Sequence, residues 1–504
     1  MTYLQRYFYK VAPEDRTTSA IAFFAAIDEI SKVAPSVSCA ILAELRHQRS
    51  HLKLIASENY SSLAVQLAMG NLLTDKYAEG VPFHRFYAGC ENVDTIESEG
   101  VEELKLLFNA EYAYIQPHSG ADANLVAYWA IITQRVQNQE IELLGKKSLE
   151  ELTEEEYERI RGHMMSQKVL GMSLSSGGHL THGYRHNISG KMMRSAVYDV
   201  DPRTGLLDYN QVRAKAQEVK PLILVAGYSS YPRKINFAVM REIADSVGAV
   251  LMVDMAHFAG LVAGKVFQGE FDPVPYADIV TSTTHKTLRG PRGGFILCKK
   301  EFKESVAKGC PLVLGGPLPH VMAAKVVAFK EAGKPCFRSY AERVVENAQA
   351  LADELQAQGA LVLTGGTDNH LVVVDVRPYG LNGRQAEGAL TKGRLTLNRN
   401  TIPNDPNGPW YTSGLRFGTA ALTTLGMGVE EMRRVAKLIV AVLKETKPAK
   451  TEGKEGRVKT ETSEKMLSKA HDEVASLLRA FPLYPELDFE HMREALPLQK
   501  QGEM

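Results

Sequence analysis

The chain has 504 residues, and Lys+Arg and Asp+Glu each number 59. A length far above that at which one core stops growing predicts at least two lobes, and a zero net charge excludes a general field for nucleic acid or an anionic membrane surface. The five cysteines, Cys39, Cys90, Cys298, Cys310 and Cys336, are scattered without CxxC spacing, which excludes a disulfide frame and a zinc site, leaves no metal expected and points to a reducing cytoplasm.

The first apolar stretch, SAIAFFAAI at 19–27, runs straight into Asp28 and Glu29. It is shorter than the about 20 apolar residues that a bilayer span needs, so no membrane span is expected, and residues 1–60 read as an N-terminal arm. Strand-like runs then recur: EYAYIQ (111–116), KVLGMSL (168–174), PLILVAG (221–227), AVLMVDMAH (249–257), ADIVTST (277–283) and GGFILCK (293–299). Between two of them, AVMREIADSVG (238–248) has Val239, Met240, Ile243, Ala244 and Val247 at helical spacing. Apolar strands alternating with amphipathic helices predict an α/β fold with a mostly parallel sheet, buried on both faces, over residues 61–325. Within it, 138–167 is a charged surface insertion with two overlapping helix starts, Ser148 with Glu151 and Thr153 with Glu156.

Residues 326–504 read as a smaller C-terminal domain with one clear strand, HLVVVDVRP (370–378), and a long helix at 429–444. The Lys-, Glu- and Thr-rich stretch 444–465 predicts a solvated linker. A terminal helix over 466–490 is expected to pack back on the body.

In sheets of this kind ligands bind beyond the carboxyl ends of the strands, so the polar residues there are the candidates. TSTTHKTLRGPRGG (281–294) stands where one buried strand gives way to the next, with Lys286 at its centre and His285 beside it. Asp254 closes the apolar run VLMVD, where an unpaired buried carboxylate is costly and a cationic partner is implied. For Asp254 alone an internal ion pair is the simpler reading, and for Lys286 alone a surface position. Together they suit a pyridine cofactor: pyridoxal phosphate takes a lysine amine as a Schiff base and a carboxylate on its ring nitrogen. PHSGADAN (117–124) links a strand to the helix-like ANLVAYWAII, so the N–H groups of Ser119, Gly120 and Ala121 are placed to hold a phosphate at a helix N-terminus.

LIASENYSS (54–62), KYAEGVPFHRFYAGCENVDTIE (76–97), QPHSGADAN (116–124), GGHLTHG (177–183), VDMAHFAGL (253–261), TTHKTLRGPRGG (283–294), NTIPNDP (400–406) and SGLRFGTAAL (413–422) resemble serine hydroxymethyltransferases, in that family's order. The resemblance implies the aspartate-aminotransferase-like fold of pyridoxal-phosphate enzymes, and transfer of the serine hydroxymethyl group to tetrahydrofolate with glycine as the other product. It implies Lys286 as the attachment lysine, Asp254 at the pyridine nitrogen, His257 near the ring oxygen, His179 stacked on the ring and Ser229 in contact with the cofactor. Arg416 and Ser57 would share the substrate carboxylate, Thr283 would meet the substrate, and Arg292 would brace the tyrosines near the lysine loop. Tyr77, Glu79 and Tyr87 would approach from a neighbouring subunit, with Glu79 as proton carrier, and Gly315 and Gly316 would hold phosphate across the same interface, making an obligate homodimer, or a tetramer of such dimers. Around tetrahydrofolate the resemblance implies Glu79, Gly178, Leu180 and Asn400 at the pterin, with Phe86 stacked on the aminobenzoate.

Three positions depart from the family pattern: Phe86 stands for a usual tyrosine, Ala121 for a phosphate-binding serine, and Leu314 for a polar residue. A folate-independent threonine-type aldolase or amino-acid racemase would use the same site. A degenerate binding homologue would be expected to have lost Lys286, Asp254 or Arg416, and all three are present.

Overall fold

A computed structural model describes residues 1–451 and 454–487. Its centre is a sheet of seven strands: β1 (Tyr112–Tyr114), β2 (Lys168–Met172), β3 (Arg194–Tyr198), β4 (Ile223–Gly227), β5 (Val250–Asp254), β6 (Ile279–Thr283) and β7 (Gly294–Cys298), in the order β1-β7-β6-β5-β4-β2-β3. Strands β2 to β6 pair in parallel, and β7 runs antiparallel between β6 and β1. The α/β class with a mostly parallel sheet is therefore as expected. Leu170, Leu224, Leu251, Val253 and Val280 pack on one face, and Val169, Ile223, Val225, Val250, Met252 and Ile279 on the other. This alternation of buried neighbours is why the strands read as continuous apolar runs.

At the carboxyl edge Gly227 stands across from Asp254, and Asp254 from Thr281. Gly227 has φ +125°, and a Cβ there would meet the Asp254 carbonyl oxygen at 2.1 Å. Only glycine lets β4 come that close to the acid.

A second, antiparallel sheet joins Leu361–Val362, Leu371–Asp375, Gly414–Gly418 and Asn398–Asn400. The helices Pro335–Ala357 and Val429–Lys444 bury Leu351, Met432, Val435 and Ile439 against its Val372, Val374 and Phe417. In the 138–167 segment Thr153 caps the helix Glu154–Ser166, with Glu156 completing the capping box. The alternative start at Ser148 yields only a short 3-10 turn, Leu149–Glu151, which the Ser148 side chain does not cap.

Residues 444–465 are not a solvated linker. After the end of the long helix they form a hairpin, Thr446–Thr451 with Lys454–Thr462. It is held on the helix Gly383–Lys392 by Asn382 Nδ2 donating to Arg457 O at 3.0 Å and Gln385 Nε2 to Gly456 O at 2.7 Å. The pairing uses backbone groups and threonine hydroxyls, such as Thr446 against Thr462 at 2.8 Å, so it leaves no apolar alternation to read. The terminal helix spans Glu464–Ala480 and stops short of the expected 490. Pro482 follows, and it pushes Phe481 out of the helical region, to φ −130° and ψ 68°. Residues 488–490 of the expected helix lie outside the described residues.

The N-terminal helices Thr18–Val33 and Pro35–Ser50 bury Phe24, Ile27 and Leu42 with Ala421, Leu483 and Leu487. Arg49 donates to the carbonyls of Leu483 at 2.8 Å and Leu487 at 2.8 Å, and Tyr484 Oη donates to Ser61 O at 2.7 Å. Among the described residues no helix is long and apolar enough to cross a membrane.

Candidate active site

A cavity of about 440 Å³ opens at the carboxyl edge of β4, β5 and β6, within the size range of small-molecule sites. Of the expected residues, Ser57, Ser119, Gly120, Ala121, His179, Ser229, Asp254, His257, Thr283, His285, Lys286, Arg292 and Arg416 line it together. Ser57 reaches it because Leu54 N donates to Thr396 O at 2.7 Å and Gly418 N to Leu54 O at 2.7 Å, which lays the segment before Ser57 against the second sheet.

Asp254 is buried at the end of β5. Its Oδ1 accepts from Ala256 N at 3.0 Å, and its Oδ2 accepts from Asn124 Nδ2 at 2.9 Å and faces His182 Nε2 at 3.0 Å. His182 Nδ1 accepts from His179 N at 3.3 Å, so the His182 proton lies on Nε2, toward the acid. Burial pushes the Asp254 carboxyl up, but the hydrogen bonds from His182 and Asn124 outweigh it and hold the group well below the usual carboxylate range. The cationic partner expected for Asp254 is thus replaced, within this chain, by a histidine and an amide. With three bonds made, one lone-pair site remains on Oδ1 for a ring N–H. Asn124 is fixed in turn by Thr281 Oγ1, which donates to its Oδ1 at 2.5 Å.

Lys286 follows β6 in a loop closed by Thr284 N on Gly293 O at 3.1 Å and Gly290 N on Thr284 O at 2.7 Å. It is half-buried, its open surface being the cavity it lines. Desolvation lowers its amine to about 8, against the pull of Asp254 and with the push of Arg416 and Arg292. Arg416, on the strand Gly414–Gly418, donates through Nη1 to Ser229 O at 2.6 Å and Ser229 Oγ at 3.1 Å, and through Nε to Asn398 Oδ1 at 3.2 Å. Burial lowers its guanidinium to about 10.

Desolvation also lowers His179 to about 4 and His285 to about 3, and His257 well below its ordinary value. These rings are neutral at pH 7, so the charged side chains lining the cavity are Glu58, Asp254, Lys286, Arg292 and Arg416. The three cations outnumber the two acids, which suits an anionic ligand. The helix Gly120–Ile132 starts at the cavity with Ser119 as its cap, Ser119 Oγ accepting from Asp122 N at 3.1 Å. The N–H groups of Gly120 and Ala121 therefore belong to a first turn without intrahelical acceptors. The ligand atoms of His179, His182 and Asp254 lie within 4.8 Å of one another. The His182 and Asp254 atoms already bond each other, and His179 Nδ1 faces Thr181 Oγ1 at 2.7 Å.

The remaining expected residues do not line this cavity. Tyr77 and Tyr87 pack together at 4.9 Å and are exposed, as is Phe86. A Cβ on Gly316 would meet Tyr77 Cζ at 3.1 Å, whereas around Gly315 there is open space. The Glu79 carboxylate beside Tyr77 raises the Tyr77 phenol. The Glu79 loop is fixed by Arg85, which bonds Ala78 O and Gly80 O at 3.0 Å each and pairs with Asp94 at 2.8 Å and Glu97 at 2.6 Å. Asn400 lines a separate cavity of about 410 Å³, Leu180 is exposed, and Gly178 is buried in its loop.

Sequence reasoning missed Asn124, His182, Thr281 and Arg85 as supports. Asn124 and His182 stand inside quoted motifs, but nothing in the order of residues says that both turn to an acid 130 and 72 positions away.

The family model described as "Serine hydroxymethyltransferase" matches residues 30–146 and 162–439. Similar proteins bearing that name include one from Treponema pallidum (strain Nichols), 58% identical over 97% of this chain and 86% of its own length. One from Mycolicibacterium smegmatis is 57% identical over 93% of this chain and 95% of its own. One from Chlamydia trachomatis serovar L2 is 54% identical over 97% and 99%.

Proposed function

The chain belongs to the serine hydroxymethyltransferase family, and from that premise we propose that it transfers the hydroxymethyl group of serine to tetrahydrofolate, forming glycine and 5,10-methylenetetrahydrofolate. The observation that carries this reading is the meeting of Lys286, Asp254 and Arg416 in one cavity. These residues fit pyridoxal phosphate: an amine lowered to about 8 for attachment, a charged acid with a free lone-pair site for the ring nitrogen, and first-turn N–H groups for the phosphate. When bound, that cofactor supplies an electron sink for the breaking Cα–Cβ bond.

The other steps fall to this chain's own groups. Arg416 and Ser57 hold the substrate carboxylate, for which a planar guanidinium offers a paired donor edge. His179, neutral at pH 7, would stack on the ring without adding charge to it. His257 would stand near the ring oxygen, Ser229 would touch the cofactor, and Thr283 would meet the substrate. Tetrahydrofolate lies against Gly178, Leu180 and Asn400, and Phe86 stacks on its aminobenzoate. The family assignment favours this reaction over folate-independent aldolase or racemase chemistry. Steady-state serine cleavage is expected to depend on tetrahydrofolate; equal rates with and without it would reverse that preference.

We place Tyr77, Glu79 and Tyr87 of one protomer against the cavity of its partner, with Glu79 moving a proton to or from the reacting oxygen, Gly315 and Gly316 completing the phosphate end, and Arg292 bracing the tyrosines. The exposure of Leu72, Tyr77, Phe83 and Phe86 on one short stretch supports burial against a second copy. Two inactive variants, Glu79→Gln and Lys286→Ala, are then expected to regain activity when unfolded and refolded together. Random pairing leaves one intact site in half of the dimers, or about a quarter of wild-type activity. No regain in a mixture shown by mass to contain hybrid dimers would overturn the shared site.

The amine of Lys286 must be neutral to attach the cofactor. Because its value is lowered to about 8, the neutral fraction grows as pH rises toward 8 and saturates above it. Stopped-flow capture of pyridoxal phosphate by the apo protein is expected to quicken by about tenfold per pH unit below 8 and then level. A rate still rising steeply at pH 10 would mean an amine of ordinary basicity.

We take residues 61–325 as the cofactor-binding body, 1–60 as its arm and 326–504 as the smaller domain. Five unpaired cysteines support a place in a reducing cytoplasm.

A further inference from the structure

Lys325 is an amine in the interior that has no acid to pair with among the described residues. It stands in the middle of the helix Pro319–Ala332, is 1% exposed, and makes no ion pair among the described residues. An isolated ammonium there is costly unless each of its hydrogens finds an acceptor. All three do: Nζ donates to Ile115 O at 2.6 Å, Pro117 O at 2.9 Å and Gly294 O at 2.9 Å.

Those acceptors belong to the three pieces of backbone that frame the phosphate end of the cavity. Ile115 follows β1, Pro117 lies two residues before the Ser119 cap, and Gly294 opens β7 just after the lysine loop. Room for the lysine comes from Gly293, where a Cβ would meet Lys325 Cε at 2.5 Å. That contact gives one of the glycines in GPRGG a purpose. The same helix begins three residues after Gly316, whose carbonyl faces His118 Nε2 at 3.2 Å. Burial lowers the Lys325 amine to about 7, against the pull of Glu97 and Asp122. The three carbonyl contacts, rather than a counter-ion, therefore account for its place.

Building on the cofactor reading above, we propose that Lys325 is a positioning residue for the cofactor phosphate: from outside the cavity it clamps three backbone segments so that the N–H groups of Gly120 and Ala121 converge on the anion. It touches neither cofactor nor substrate. A residue that merely filled the core would affect every ligand alike, whereas this clamp acts on the phosphate end alone.

The test titrates the apo forms of wild type, Lys325→Met and Lys325→Gln with pyridoxal phosphate and, separately, with pyridoxal, which lacks the phosphate, following protein fluorescence. Lys325→Met is expected to weaken pyridoxal phosphate by about tenfold or more, as displacement of a binding backbone by a fraction of an ångström does, and to leave pyridoxal within about twofold. Lys325→Gln retains two donors and is expected to show the same selectivity to a smaller degree. It also serves if the methionine variant fails to fold. Unchanged affinity for pyridoxal phosphate, or an equal loss for both ligands, overturns the proposal. If wild type itself binds no pyridoxal phosphate, the cofactor reading of the cavity falls, and this inference falls with it.

Discussion

Lys286→Ala is expected to lower tetrahydrofolate-dependent serine turnover by at least about a thousandfold, as removal of a covalent anchor does. Among the described residues the lysine is the single amine lining the cavity, and burial has already lowered its basicity to about 8. Arg292 and Arg416 share the cavity, but a guanidinium cannot replace an amine as the nucleophile. Steady-state assays give the size of the loss. Borohydride reduction of the cofactor-loaded wild type, followed by peptide mapping, is expected to place the label at position 286. Near-normal turnover in the variant, or a label at another position, would remove the basis of the functional reading.

Asp254→Asn is expected to reduce kcat by about 10²–10³-fold, the range seen when one preorganised electrostatic contact is lost. KM for serine is expected to stay within about threefold, because Arg416 is untouched. The variant keeps nearly the same shape, so its effect isolates charge. Wild type holds a carboxylate ionised in a buried site through His182 and Asn124. An amide there cannot keep a ring nitrogen protonated, and its own N–H₂ would confront one of the donors that now point at Oδ2. A kcat within a few-fold of wild type would show that the charge of Asp254 is not used in turnover.

Much of this site is legible in the order of residues because it lies at strand ends. β5 and β6 are buried on both faces, so they appear as unbroken apolar runs, and the first charged residues after them mark the carboxyl edge. The same logic fails at β3, RSAVY, an edge strand that is largely unburied, and at the hairpin Thr446–Thr462, whose stability lies in backbone pairing and in bonds to Asn382 and Gln385. Lys325 escapes notice for a different reason. A lysine in a helix ordinarily reads as a surface residue with its stem along apolar neighbours, and two of its acceptors are main-chain oxygens about two hundred positions away, which carry no residue-specific signal. His182 and Arg85 share that difficulty, since their chemistry is plain in the sequence but the direction in which they point is not.

The clasp between Arg49 and the carbonyls of Leu483 and Leu487 bears on how the molecule is made. Segments near the two ends of the chain are tied across 434 and 438 positions, and the stretch before Ser57 lies on Thr396 and Gly418. During synthesis the sheet that holds Asp254 and Lys286 can close while the ribosome is still at work. The wall that carries Ser57 and Arg416 must wait until Gly418 has been made, because the stretch before Ser57 is bonded to Thr396 and Gly418. Nascent chains of this protein are therefore expected to acquire the cofactor side of the cavity before the amino-acid side.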